Sequence, residues 1–197
     1  PVRLDKGKQP EKIIRLMHGV AQSGYEPRLL IIDWQSMGDR FQRYIDELLA
    51  LADSLGLKGK VNFTSRLDDT CNNGIPRDNV MELMDIANIY IHPSTVETYS
   101  LVVHEAILRG KLVVLNADFP PMRELFGEGP LYMNFSSDRF KTTYSPDEQS
   151  YWDDEARRML SEFKRCRNLA LQLKARREWT PQAQWKELEH LLFLEPV

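Results

Sequence analysis

Between residues 89 and 115 the chain reads IYIHPSTVETYSLVVHEAILRGKLVVL. An apolar run, Ile89 to His92, stops at Pro93, which has no N–H to continue a ladder. A short polar loop follows. The segment from Thr98 to Arg109 is then apolar at helical spacing and is ended by Gly110. Leu112 to Leu115 is another apolar run of strand length. Strand, loop, helix and strand joined by short connections make a βαβ unit, and such units pair their strands in parallel.

The same alternation extends outward in both directions. Glu11 to Ser23 predicts a helix with Ile13, Ile14, Met17, Val20 and Ala21 on one face. Arg28 to Asp33 predicts a strand, and Asp39 to Leu55 a helix with Phe41, Ile45, Leu48, Ala52 and Leu55, stopped by Gly56. Val61 to Phe63 is a second strand. Arg66 to Arg77, with Asn72-Asn73-Gly74 and Pro76, is a loop by composition. Asp78 is the expected cap of a helix carrying Val80, Leu83, Met84 and Ala87. Met122 to Phe126 reads as a helical turn and Leu131 to Phe135 as a last strand. The strands are apolar without alternation, so both faces of the sheet are expected to be covered. The fold class is α/β, a doubly wound, Rossmann-like parallel sheet.

After Phe135 the pattern changes. Ser136 to Ser150 is polar and irregular. One long helix is expected from about Asp147 to Arg177, with Trp152, Ala156, Met159, Leu160 and Phe163 on its apolar side. A last helix is expected from Pro181 to Leu194, with Trp185, Leu188 and Leu192. The organisation is thus a Rossmann-like domain over residues 1–145 and helices over 146–197 that pack on it. The three tryptophans Trp152, Trp179 and Trp185 read as packing anchors.

Composition narrows the function classes. The 197 residues carry 26 basic and 29 acidic side chains, for a net charge of −3. This balance excludes a disordered chain and leaves no basic footprint for nucleic acid. Cys71 and Cys166 are far apart and form no metal-ligand spacing. Two cysteines beside seven methionines suit a reducing compartment, so a cytoplasmic location is expected. The apolar runs fall far short of the roughly 20 residues that span a bilayer. The start on Pro1, directly before a charged segment, reads as a fragment of a longer chain.

In open α/β sheets ligands sit outside the carboxyl ends of the strands. At the end of the Ile89 strand, the following helix offers unpaired N–H groups and the positive end of its dipole. Such an end holds phosphate or sugar hydroxyls. Glu97 lies just before it and Glu105 deeper along the helix. Two readings stay open at this level. The glutamates are a dipole-stabilising cap, worth about 0.3–1 kcal/mol, and a solvated face; or they accept the paired hydroxyls of a diol. The run Arg3-Leu4-Asp5-Lys6-Gly7-Lys8, ahead of the first helix, is likewise either a solvated basic end or a clamp for a diphosphate. His104 reads as a packed or surface histidine, and His92 as structural. Asp33 at a strand end lacks the acidic pair and later lysine of a phospho-acceptor.

Taken together, Arg3…Lys8, Pro93-Ser94-x-x-Glu97, seven residues, Glu105-Ala106, and Gly110-Lys111-Leu112-Val113-Val114 resemble the carboxyl-terminal half of retaining GT-B glycosyltransferases, family 4. The resemblance covers about Val2 to Phe135. It implies a nucleotide diphosphate sugar as donor, UDP- or GDP-linked, and no cofactor or metal. It implies that Arg3 and Lys8 contact the diphosphate and that Glu97 faces the sugar hydroxyls as the catalytic carboxylate. The amides of Tyr99, Ser100 and Leu101 would hold phosphate, and Glu105 the ribose diol. It also implies an amino-terminal acceptor domain beyond this chain, toward which the last helix turns. Peripheral membrane association of the full-length enzyme is a further expectation.

The sequence departs from the family at three places. Thr98-Tyr99-Ser100 stands where members carry glycines, Asp33-Trp34-Gln35-Ser36 where a glycine-rich turn is usual, and Thr64-Ser65 at another glycine. Side chains after Glu97 narrow the approach of a sugar to the backbone. Arg66 and Asn73 are weak candidates for base contacts. A non-catalytic module that kept the half-fold is the rival reading. A sugar-nucleotide epimerase or phosphorylase half would want different strand-end residues.

Overall fold

The structure is a computed structural model and describes residues 4, 6–33, 39–67, 71, 74–97, 99–135 and 145–192. A 3₁₀ turn at Lys6–Lys8 leads into α1 (Pro10–Gln22), followed by β1 (Leu29–Ile31), α2 (Asp39–Ser54) and β2 (Val61–Phe63). Then come α3 (Arg77–Ile86), β3 (Ile89–His92), α4 (Leu101–Leu108), β4 (Leu112–Asn116), α5 (Pro120–Phe126) and β5 (Leu131–Met133). Three helices close the chain: α6 (Pro146–Lys164), α7 (Arg167–Glu178) and α8 (Pro181–Leu192).

All strand pairs are parallel, as short βα connections require. They fall into two ladders, β1-β2 and β3-β4-β5, where the sequence reading expected a single sheet. Among the described residues no strand lies between β1 and β3 to exchange backbone hydrogen bonds with both. The two ladders still share a core. Ile31 and Phe63 pack in one cluster with Leu112, Val114, Leu131 and Met133, under α1, α2 and α6. Val113 and Leu115 point to the opposite face, onto Val103, Ala106, Ile107, Met122 and Phe126, with Leu171 and Ala175 of α7. Every residue of β4 is buried. Leu112 to Leu115 are apolar without alternation because helices cover both faces of the strand.

The helix boundaries correct the sequence reading in three ways, and the exposure of one tryptophan corrects it in a fourth. The residue capping α3 is Pro76 in extended backbone, and Asp78 lies in the first turn, where its charge still complements the dipole. The helix after β3 begins at Leu101, three residues later than expected, because Ser100 at φ 50° is left-handed. The single long helix from 147 to 177 is two helices. Cys166 adopts φ 54° between them, and the Arg167 guanidinium donates to the carbonyls of Glu128, Gly129 and Pro130. Trp185 is 59% exposed and so is no packing anchor, whereas Trp152 is buried and Trp179 packs edge-on against Phe126 and His104. The side chains of Leu188 and Leu192 lie outside the described residues.

The dominant helix pair is α1 on α6, and α6 is opened by a capping box in which Ser145 accepts from the Glu148 amide and Glu148 accepts from the Ser145 amide. Their closest approach is at Gly19. A Cβ there would stand 2.8 Å from both the Ala156 Cβ and the Asp153 Cα, so the pair packs almost backbone to backbone.

Two substitutions test this account. Gly19→Val forces the helices apart and is expected to cost about 1–3 kcal/mol, read as a fall in Tm of roughly 2–4 °C per kcal/mol. Cys166→Gly relieves the left-handed backbone at an exposed break and is expected to raise stability by about 1 kcal/mol, read by urea denaturation.

Candidate functional site

The carboxyl ends of β3, β4 and β5 are tied to the start of α1 by buried polar groups. Gln9, fully buried at φ 50° ahead of α1, donates its side-chain N–H to the Pro93 carbonyl at 2.7 Å. Asn116, fully buried at the end of β4, donates to the same carbonyl at 3.4 Å and accepts from the Phe135 amide at 3.3 Å. The buried Lys12 ammonium donates to Gln9 Oε1 and to the Phe135 carbonyl. Each bond satisfies a group that would be expensive to bury alone.

This knot fixes where the residue before Gln9 can reach. Lys8 Nζ donates to Ser94 Oγ at 3.1 Å, to the Val96 carbonyl at 3.4 Å and to Glu97 Oε1 at 2.6 Å. The ion pair is largely enclosed, with 21% of the Lys8 side chain and 18% of the Glu97 side chain exposed. His92 Nε2 reaches the same oxygen at 3.2 Å. A hydrogen bond from His92 holds the Glu97 carboxyl down to about 2, with Lys8 adding to the effect and burial opposing it.

Immediately past Glu97, the left-handed Ser100 turns the chain into α4. The N–H groups of Tyr99, Ser100 and Leu101 carry no hydrogen bond to any described residue. The Val103 N–H donates back to the Ser100 carbonyl at 3.0 Å. The backbone thus takes the conformation glycine favours while carrying serine, so the departure from the family alters side chains more than chain path. Tyr99 is half exposed and stacks on His104 at 4.7 Å. His104 is held in this aromatic group, where burial lowers its pKa.

Glu105 lies one turn into α4 and pairs with Arg77 at the start of α3. Glu105 thus stands one turn along the helix whose start follows Glu97, and its pair bridges α4 to α3. The bland alternative of a solvated Glu105 is not what is found: 20% of its side chain is exposed, against 78% for Arg77. Arg3 and Asn73 lie outside the described residues. Arg66 pairs with Asp46 at 2.7 Å on the surface. Asp33 is buried and accepts from Thr64 Oγ1 and from the Ser65 amide and hydroxyl.

Chemically, the residues present a cation, amides at a helix start that carry no hydrogen bond among the described residues, and two carboxylates, a set suited to an anion joined to hydroxyl groups. Gln9, Lys12 and Asn116 were not singled out in the sequence; the one signal was their position, a polar residue beside each strand end or helix start. Among the described residues no group of three or more metal-binding side chains is found, and no helix is long and apolar enough to cross a membrane.

Comparison with known proteins adds three findings. Residues 2–134 match the family described as glycosyl transferases group 1. Among solved structures, Anabaena Alr3699/HepE in complex with UDP superposes with a TM-score of 0.65 at 22% identity, over 98% of this chain and 47% of that one. The same protein with UDP-glucose gives 0.64 at 21% identity, over 98% of this chain and 47% of that one. A UDP-forming trehalose-phosphate synthase from Burkholderia xenovorans gives 0.62 at 16% identity, over 100% of this chain and 44% of that one. The chain therefore spans less than half the length of these structures. No protein of curated function matches it significantly.

A depressed carboxyl stabilises the fold above its unfolded pKa and stops doing so as pH falls to its folded value. The stability advantage of the native chain over Glu97→Gln is expected to be full above pH 4.5 and to shrink between 4.5 and about 2. Urea denaturation across that window checks it, and a constant difference would contradict the Glu97 ion pair.

Proposed function

We infer that this chain, which belongs to the group 1 glycosyl transferases, is the carboxyl-terminal, donor-binding half of a retaining GT-B enzyme of family 4. Its ligand is a nucleotide diphosphate sugar, UDP- or GDP-linked. The complexes of the Anabaena protein with UDP and UDP-glucose support that donor class. The observation that carries the reading is the convergence of Lys8 Nζ on Glu97 at 2.6 Å, directly before a helix start whose amides are unpaired among the described residues.

In this reading the diphosphate lies across the start of α4. Lys8 exchanges its long contact to Val96 for a phosphate oxygen, Arg3 adds a second cation, and the amides of Tyr99, Ser100 and Leu101 donate to the phosphate. During transfer the bond between the anomeric carbon and the diphosphate oxygen breaks and its electron pair leaves with the diphosphate, while the acceptor hydroxyl oxygen bonds that carbon and gives its proton to the departing phosphate oxygen. Fixed cations and a helix end stabilise that growing charge. Glu97 accepts from the sugar hydroxyls and Glu105 takes the ribose diol once the exposed Arg77 swings aside. Residues 1–145 form the donor domain and 146–197 a helical extension. The acceptor is brought by an amino-terminal domain outside this chain, so the chain alone binds donor and does not transfer it. The full-length enzyme is cytoplasmic and peripheral at the membrane.

The rival, a non-catalytic module, draws on Thr98-Tyr99-Ser100 replacing glycines. Titration with UDP, GDP and ADP, read by melting temperature, separates the two. A nucleotide at 100 times its Kd stabilises by about 2.7 kcal/mol. The shift is expected to be lost in Glu105→Ala and kept in His104→Ala. Folded chain that shifts with none of the nucleotides overturns the donor reading in favour of the module.

A further inference from the structure

His92 ends β3 with 5% of its side chain exposed, too enclosed to touch a bound ligand freely. Both of its ring nitrogens have partners. Nε2 faces Glu97 Oε1 at 3.2 Å, and Nδ1 faces the Tyr90 hydroxyl at 3.3 Å. A carboxylate only accepts, so Nε2 carries the proton in this pairing, and in the neutral ring the Tyr90 hydroxyl donates to Nδ1. The Ser100 hydroxyl stands 3.5 Å from Nε2, on the left-handed residue that turns the chain into α4. Strand, loop and helix start are thereby joined through one imidazole.

The two donors to Glu97 share a single oxygen. Lys8 and His92 both bond Oε1, and among the described residues Oε2 has no partner. A carboxylate gripped at one oxygen from two directions cannot rotate without breaking both bonds. Lys8 alone would not fix it, because its flexible stem lets the ammonium follow a turning carboxylate.

We propose that His92 is a positioning residue that sets the sugar specificity of this site, pinning Glu97 by Oε1 so that Oε2 is the acceptor offered to the donor's sugar hydroxyls. The inference rests on the donor-binding reading above and adds to it the group that decides how the sugar is held. His92 itself touches no ligand; it acts through Glu97. Its effect falls first on the sugar, because Glu97 is its nearer partner at 3.2 Å, while the Ser100 hydroxyl at the helix start stands at 3.5 Å.

The test compares each bare nucleoside diphosphate (UDP, GDP, ADP) with its glucose conjugate, and GDP-mannose, by calorimetry on this chain. His92→Phe is expected to weaken the sugar conjugate that binds best by about tenfold, while its parent diphosphate changes less than twofold. His92→Gln, which keeps an amide N–H, is expected to recover most of the loss. Tyr90→Phe, which removes only the hydroxyl that sets the ring's tautomer, covers the case in which His92→Phe does not fold and is expected to act in the same direction. Equal losses for conjugate and diphosphate, or none, overturn the proposal, since a merely structural histidine would move both together. A wild-type chain that binds no member of the set overturns the donor reading instead. The clamp is then still decided without ligand: ¹⁵N spectra at pH 8 are expected to show His92 protonated at Nε2 and shifted by Glu97→Gln, and a ring unmoved by that substitution overturns it.

Discussion

The carbonyl of Pro93 is the point on which the site depends. It accepts from Gln9 at the head of α1 and from Asn116 at the end of β4, so three separate segments meet on one buried acceptor. Pro93 lies just past β3, which ends at His92, and its carbonyl is met by side-chain donors. Removing Asn116 would also take the acceptor from the buried Phe135 amide, and a stranded buried polar group costs more than the bond itself contributes. The location of Lys8 next to Gln9, and of Ser94 next to Pro93, follows from that junction. The ion pair on Glu97 follows in turn.

Electrostatics at this edge works by enclosure. Surface ion pairs such as Arg66 with Asp46 contribute little, since water screens them and their long side chains must be ordered. Lys8 and Glu97 are mostly shielded, and each has a second hydrogen bond besides the pairing. Burial therefore raises the strength of the pairing while neighbouring groups limit the desolvation penalty. The hydrogen bond from His92, with Lys8 adding to it, keeps Glu97 ionised far into acid against the opposing effect of burial.

The order of helices and strands was legible in the sequence because β4 and its neighbours are apolar on both faces and each helix has one apolar stripe. Boundaries were misread where a non-glycine residue takes a left-handed conformation. Ser100 and Cys166 carry no mark of it, so one helix was started early and two were read as one. The split into two ladders was invisible too, because an apolar run reports burial and not which backbone it pairs with. For the site, Lys8, Glu97 and Glu105 were singled out by spacing and resemblance, and the structure brings Lys8 onto Glu97 while pairing Glu105 with Arg77. Gln9, Lys12 and Asn116 escaped notice since a lone polar residue at a strand end looks like any loop residue until its partners are known. The contact of His92 with Glu97 was not legible, for it exists only across a turn.

The near contact of α1 and α6 at Gly19 has a mechanical side. Two helices that meet almost without intervening side chains leave no soft layer to absorb a shear, and close packing transmits displacement. Lys8 stands immediately ahead of α1. A pull or tilt applied to the carboxyl-terminal helices would thus arrive at the ammonium as a rigid lever's far end, and anything docking on that extension would have a handle on the charge at the cleft.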